Sequence, residues 1–86
     1  MISIAVLVSG NGTNLQAIID NVNKGYIPAR IALVLSDEKK AFALERAKKA
    51  EIETVTLDKK DYSTREDFDR EVVRHLKKKE VEVMEV

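Results

Sequence analysis

Hydrophobic residues follow two alternating patterns along this chain. Nearly continuous apolar runs cover Ile2–Val8 and Ile31–Leu35, and weaker runs cover Ile52–Leu57 and Val81–Val86. Such runs are typical of strands that are buried on both faces of a parallel sheet. Between them, apolar residues recur at intervals of three and four, which predicts amphipathic helices. The predicted order of elements is therefore β-α-β-α-β-α-β.

Polar residues mark where the three predicted helices begin. Thr13 and Gln16 have the spacing of a capping box, and so do Ser63 and Glu66. Asp37 is a candidate cap for the second helix. The residues predicted to face inward are Leu15, Ile18, Ile19 and Val22 in the first helix, Ala41, Leu44, Ala47 and Lys48 in the second, and Phe68, Val72 and Leu76 in the third.

This alternation of strands and helices predicts an α/β fold of the Rossmann-like kind, with a parallel sheet between helical layers. Right-handed crossovers favour the strand order 3-2-1-4. We expect residues 1–86 to form a single domain. Ligands of such sheets bind at the carboxyl ends of the strands beside the switch point, which lies between strands one and four. The loop that follows the first strand reaches this position.

That loop, Ser9–Asn14, carries the candidate chemistry. Gly10 and Gly12 let the backbone turn tightly and approach a ligand closely. The helix start that follows supplies unpaired N–H groups and a partial positive charge, which favour a phosphate or a carboxylate. Thr13 and Asn14 add side-chain donors. The alternative is that the glycines only make a tight turn between a strand and a helix.

The same loop argues against two common nucleotide motifs. Leu15 stands where the dinucleotide fingerprint has its third glycine, and no Gly-Lys-Ser/Thr follows as in a P-loop. Asp37 is either a ribose ligand, if a dinucleotide binds, or simply a helix cap.

Composition narrows the possible partners and sites. Fifteen Lys and Arg residues balance fifteen Asp and Glu residues, so no net field attracts nucleic acid or an anionic membrane. No apolar run is long enough to span a bilayer. The absence of cysteine fits a cytoplasmic protein and removes thiolate ligands. No cluster of His, Asp and Glu has metal-ligand spacing, so we predict no metal site. The run Lys77–Lys79 is interpreted as a solvated helix end.

Three stretches of the chain resemble the phosphoribosylglycinamide formyltransferases, the folate-dependent enzymes of purine biosynthesis. They are the opening segment Ile4–Ile19, Ser36–Asp37 together with Ala41–Ala47, and the helix start Ser63–Glu66 together with Phe68–Asp69. The resemblance implies the N-terminal part of a formyltransferase domain. It also implies a reaction that moves a formyl group from 10-formyltetrahydrofolate to glycinamide ribonucleotide. By resemblance, Gly12, Thr13 and Asn14 would hold the substrate phosphate, and Arg65 would belong to the formyl-folate site.

The chain also departs from that family. The family's catalytic Asn-x-His segment and a later Asp follow the fourth strand, whereas this sequence has no Asn-x-His. Its one histidine, His75, is interpreted as a surface or half-buried helical residue. Glu82 and Glu85 interrupt the last apolar run. We therefore expect a truncated half of the domain that has no catalytic residue and is inactive alone.

Two alternatives remain open at this level. One is a non-catalytic module that binds a phosphorylated metabolite or pairs with another chain, including a second copy, through the exposed fourth strand. The other is a different formyl-folate enzyme, such as a formyltetrahydrofolate deformylase or a methionyl-tRNA formyltransferase. The Gly-Asn-Gly-Thr-Asn loop argues against these other formyl-folate enzymes, because a ribonucleotide phosphate needs such a loop and their substrates do not.

Overall fold

A computed structural model describes residues 2–8, 12–38 and 41–85 of the chain. Strands and helices alternate as predicted, and a short 3-10 turn precedes the last helix. The elements are β1 (Ile2–Val8), α1 (Thr13–Asn23), β2 (Ala29–Ser36), α2 (Phe42–Lys49), β3 (Thr54–Thr56), the 3-10 turn Lys59–Asp61, α3 (Arg65–Lys79) and β4 (Glu82–Glu85).

The four strands form one sheet in the order β3-β2-β1-β4, and every neighbouring pair is parallel. This confirms the predicted Rossmann-like fold and its strand order. Ile4 of β1 lies opposite Ile31 of β2 on one side and Glu82 of β4 on the other. The register between β1 and β2 shifts after Ile4. The central position of β1 places its carboxyl end between β2 and β4.

The two faces of the sheet carry separate cores. Alternate β1 residues, among them Val6, pack with α1 and α2 on one face, while Leu7 packs with α3 on the other. This alternation follows from the two-residue period of a strand. The α1–α2 face is the larger core and contains Ile4, Val6, Val8, Leu15, Ile19, Ala29, Ile31, Val34, Ala41, Ala43, Leu44 and Ala47. The α3 face contains Leu35, Leu57, Phe68 and Val72.

The strand bounds differ from the predicted ones at β2 and β3. β2 extends at both ends of the predicted run, whereas β3 is only three residues long. Ile52 was predicted in β3, but its N–H donates to the carbonyl of Ala47 at 2.9 Å, which holds it in the turn after α2. β4 lies within the predicted run, and Val86 is outside the described residues.

Both predicted capping boxes are wrong. Thr13 is the first residue of α1 itself, so the cap position before the helix is occupied by Gly12. Gly12 has no side chain that could accept a hydrogen bond. The side chain of Gln16 donates instead to Asp20 at 3.0 Å. At α3 the cap is Thr64, whose hydroxyl accepts from the N–H of Asp67 at 3.1 Å. The cap therefore lies one residue after the predicted Ser63.

The predicted cap and inner face of α2 need correction too. Ala41, not Asp37, precedes this helix. Asp37 lies too far upstream and forms an ion pair instead, as described below. Lys48 was predicted to face inward, but it is exposed, and Ala43 is fully buried. The charged Lys48 side chain stays in water because burial without a partner is costly. The remaining inward positions predicted for the helices are buried or partly buried.

α1 and α2 end in the same way. Beyond each helix, one residue adopts left-handed backbone, and the next N–H bonds back across the last turn, as in a Schellman motif. In α1 this residue is Gly25, with φ 81°, and the bond runs from Tyr26 to Asn21 at 2.9 Å. In α2 it is Glu51, with φ 60°. The second helix therefore holds a non-glycine residue in a conformation that favours glycine.

Candidate functional site

Gly12 closes the loop that leads from β1 into α1. Its φ of 80° lies in the left-handed region that favours glycine. A Cβ built on it would lie 2.5 Å from Cβ and 2.6 Å from Cα of Ala43, in the first turn of α2. Any side chain here would collide with backbone, which cannot rotate away. Ser9, Gly10 and Asn11 lie outside the described residues.

The first turn of α1 leaves backbone N–H donors without an acceptor inside the helix. The N–H of Gln16 makes the first bond within the helix, to the carbonyl of Gly12 at 2.9 Å. The N–H groups of Thr13, Asn14 and Leu15 precede it and have no acceptor within the helix. The side chains of Thr13 and Asn14 are exposed, whereas Leu15 is fully buried. These donors and the positive end of the helix dipole suit an anion.

α2 supports this turn from the side. Arg46 donates from Nη1 to Oε1 of Gln16 at 3.3 Å, which joins the two helices one turn beyond the contact between Gly12 and Ala43. The Arg46 guanidinium also lies 5.0 Å from the centre of the Phe42 ring. The Arg46–Gln16 bond and the contact between Gly12 and Ala43 join α1 to α2 where α1 begins.

A separate groove of about 500 Å³ lies between α3 and the sheet. Arg65, Asp37, Lys59 and Asp69 form its polar end. Its remaining lining is apolar and consists of Leu7, Val8, Leu35, Phe68, Val72, Val73, Leu76 and Val83. Arg65 therefore lies at the rim of this groove. Gly12, Thr13 and Asn14 are not among the described lining residues, so this groove does not bring them together with Arg65.

Charged residues at the rim form two ion pairs. Lys59 Nζ lies 3.4 Å from Asp37 Oδ2 and 5.9 Å from the centre of the Phe68 ring. The other carboxylate oxygen of Asp37 is buried and, within the described part of the chain, has no hydrogen-bond partner. Arg65 Nε lies 3.8 Å from Asp69 Oδ2, and its side chain is 87% exposed. An exposed pair this long exchanges readily for another partner.

His75 is half-buried on α3, as predicted. Its Nε2 lies 3.5 Å from Oε1 of Glu71. A hydrogen bond from Arg74 lowers the pKa of Glu71, and one from Lys79 lowers the pKa of Glu53. These pairs lie along α3 and the loop before β3, away from the first turn of α1. Within residues 2–8, 12–38 and 41–85, no group of three or more acidic or histidine side chains is arranged to hold a metal ion.

Two residues that contact the predicted binding segments or line the groove, Ala43 and Lys59, were not identified from the sequence. Ala43 carries no chemical signal, because an alanine in a helix is typical of any packed face. Lys59 lies in a charged segment and carries no distinct signal in the sequence, and only the fold brings it to Asp37. Among the described helices, none combines the length and apolarity needed to cross a membrane.

Comparison with known proteins identifies relatives of this chain. The family model for formyl transferases matches residues 2–86. A phosphoribosylglycinamide formyltransferase of Escherichia coli is 45% identical over 74 residues, which are 86% of this chain and 35% of that protein. One from Dictyostelium discoideum is 58% identical over 52 residues, which are 60% of this chain and 25% of that protein.

Solved structures agree with these relatives. Glycinamide ribonucleotide transformylase 1 from Symbiobacterium toebii superposes with a TM-score of 0.94 and 43% identity, over 99% of this chain and 41% of that one. The chain thus spans less than half of the length of the relatives and structures that it matches here. Because the family model covers nearly the whole chain, the chain belongs to the formyl transferase family.

Proposed function

We propose that this chain is the substrate-phosphate-binding part of a phosphoribosylglycinamide formyltransferase. The complete enzyme would transfer a formyl group from 10-formyltetrahydrofolate to glycinamide ribonucleotide in purine biosynthesis, in the cytoplasm. The observation that carries the proposal is the left-handed Gly12, which lies against Ala43. This residue precedes the first turn of α1 and places that turn at the carboxyl end of the central strand. Relatives with this name support the choice of reaction.

The phosphate would be held by Gly12, Thr13 and Asn14. Backbone N–H groups of the turn would donate to its oxygens, and the exposed Thr13 hydroxyl and Asn14 amide would add further donors. A hydrogen bond to a charged group contributes about 1.5–3 kcal/mol. The role of these bonds is to position the substrate, since a fixed orientation removes much of the entropic cost of reaction.

Arg65 would contribute to binding of the formyl-folate. Its guanidinium stands at the polar end of the groove beside α3, and its pair with Asp69 is long and exposed. An anionic group of the ligand could replace Asp69 at little cost. The apolar lining of the groove suits a ligand that also has a flat apolar part.

The 86 residues lack the family's Asn-x-His segment and later Asp. In the complete enzyme, such groups would transfer the proton and stabilise the charge of the tetrahedral intermediate. We therefore expect no formyl transfer when the purified chain is mixed with glycinamide ribonucleotide and 10-formyltetrahydrofolate. Turnover within about a hundredfold of ordinary enzyme rates, a few per second, would contradict this.

Titration with inorganic phosphate, followed by NMR, tests the binding site directly. The amide signals of Gly12, Thr13 and Asn14 should move first and saturate together. A variant with Lys77→Gln and Lys78→Gln serves as the control, because both side chains are exposed at the far end of α3. It should bind phosphate as the parent does. Shifts confined to Lys77–Lys79 would indicate diffuse charge binding and would overturn the proposed site.

The second candidate is a non-catalytic module that associates through β4. It is favoured by the position of β4, which pairs only with β1 in the described part of the chain. Beside this edge, Val73 and Val83 are 45% and 48% exposed as whole residues. Unpaired strand edges and exposed apolar side chains promote association between chains. Phosphate-independent dimers would favour this candidate over the first.

A further inference from the structure

We propose that Ala43 is a positioning residue for the anion-binding turn. In this view the small side chain at position 43 sets how closely Gly12 approaches α2, and thereby the direction of the N–H groups that follow. The inference rests on the proposed function, since it concerns how the phosphate-binding turn is held. It adds a residue on a different helix, 31 positions along the chain, that touches no ligand itself.

The contact between the two residues leaves no spare room. All three heavy atoms nearest to a Cβ built on Gly12 belong to Ala43, at 2.5, 2.6 and 3.2 Å. Two of them, Cα and N, are backbone atoms. Gly12 therefore lies directly on the backbone of α2, and a side chain larger than a methyl group at position 43 would compete with Gly12 for the same space.

α2 is the less movable of the two partners. Ala43 and Ala47 are both 0% exposed, and Leu44 is buried beside them in the α1–α2 core. Protein cores are close-packed, so a helix held by such a face does not recede without loss of packing elsewhere. Gly12 is only partly buried and lies at the end of a loop. A larger residue at position 43 would therefore displace Gly12 and leave α2 in place.

The displacement would act on the donors and spare the rest of α1. Leu15 and Ile19 anchor that helix in the core. The bond between Arg46 and Gln16 holds it against α2. Movement at Gly12 would thus turn the N–H groups of Gly12 and Thr13 relative to the first turn. Hydrogen bonds weaken steeply with angle, so the anion would be bound less tightly although the fold persists.

The experiment compares Ala43→Val with Ala47→Val. Both replace a fully buried alanine on the same face of α2, one turn apart, with the same larger side chain, but only position 43 contacts Gly12. Each 86-residue variant is titrated with inorganic phosphate by NMR, and its stability is measured by urea unfolding. We expect Ala43→Val to weaken phosphate binding at least fivefold, and Ala47→Val to change it less than twofold at a similar loss of stability.

Two further variants separate position from stability. Ala43→Gly keeps the space for Gly12, so it should lose stability and retain the affinity within twofold. Ala43→Ser and Ala47→Ser replace the valine pair if Ala43→Val does not fold, with the same ranking expected. Equal weakening at positions 43 and 47, or none at either, would overturn the role of Ala43.

Failure of the proposed function would look different. If phosphate moves no amide signal of Gly12–Asn14 in the parent chain, the phosphate site is wrong. The positioning role of Ala43 is then tested by NMR spectra recorded without phosphate. Ala43→Val should shift the amide signals of Gly12 and Thr13 more than Ala47→Val does, and equal shifts would refute the positioning role.

Discussion

On one face of the sheet, α1 and α2 cover β1 and β2 with a continuous core, whereas on the other face α3 covers a smaller core and leaves a groove beside β4. The turn that we propose to bind an anion belongs to the closed face, where Gly12 lies against Ala43. Arg65 belongs to the open face. A rigid support suits a small anion that is held by directional bonds, and an open groove suits a larger ligand or a protein partner.

The largest effect should come from the core of the closed face. Leu15 is 0% exposed, and Leu15→Ala should lower the free energy of unfolding by about 2–5 kcal/mol, through lost burial and the cavity left behind. Leu76→Ala on the open face should cost about 1 kcal/mol, because Leu76 is only partly buried. Urea unfolding measures both. Equal losses would show that the two faces are equally packed.

The next largest effect should come from Gly12→Ala. It should lower the free energy of unfolding by about 2–4 kcal/mol, because alanine is strained in left-handed backbone and its Cβ would collide with Ala43. Gly25→Ala is a matched control. Its φ of 81° is nearly the same, yet nothing lies within 4 Å of the added Cβ. It should cost about 1 kcal/mol. The difference between the two variants isolates the contact with α2, and equal losses would argue against that contact.

The open face should promote self-association. We expect sedimentation to show dimers or larger species as the concentration of the chain rises, with marginal thermal stability. Val83→Lys should weaken association about tenfold, which corresponds to about 1.4 kcal/mol, by placing a charge on the exposed edge. Arg30→Lys, an exposed change in β2, is the control. A monomer at every concentration, with a melting temperature above about 65 °C, would show that the edge is harmless.

A smaller effect is expected at the end of α2. Glu51 has φ 60° in a position where α1 has Gly25. Glu51→Gly should raise the free energy of unfolding by about 0.5–1 kcal/mol, since relief of the left-handed strain exceeds the extra entropy of glycine in the unfolded chain. Glu45→Gly, an exposed position within α2, should do the opposite. Thermal melting distinguishes the two signs.

The smallest effect should be the pH dependence of the pairs on α3. The Lys79 ammonium lowers the pKa of Glu53 from its ordinary value of 4.5. The stability from this pair is therefore complete above pH 4.5 and is lost as the pH falls through the lowered value. Urea unfolding between pH 3 and 6 should show a weaker dependence in Lys79→Gln. An unchanged profile would mean that the exposed pair contributes nothing.

Much of the fold could be predicted from the sequence, because the spacing of apolar residues can be recognised without knowing the tertiary structure. The strand order and the inner stripe of α3, with Phe68 and Val72, are confirmed. Helix caps were not predictable to the residue. Ser63 and Thr64 are adjacent and both can accept a bond, and the choice between them depends on the backbone of the preceding turn.

The candidate site was predictable only in part. The glycine loop and its donors follow from local sequence, and their role as a phosphate site stays a prediction. The contact between Gly12 and Ala43 joins two small residues that are far apart in the chain. Neither residue belongs to a hydrophobic repeat from which this contact could be predicted. Likewise, the partner of Asp37 is Lys59, which approaches only when β3 pairs beside β2.

The central place of β1 has a consequence for biosynthesis. Ile4 pairs with Glu82, so β1 acquires its neighbour β4 only after the three helices and two strands between them have been synthesised. At about 5–20 residues per second, the nascent chain waits roughly 4–16 s with one side of β1 unpaired. The apolar sequence of this strand is a template for pairing between chains during that interval. A chaperone that binds extended apolar segments would therefore find β1 incompletely paired during this interval.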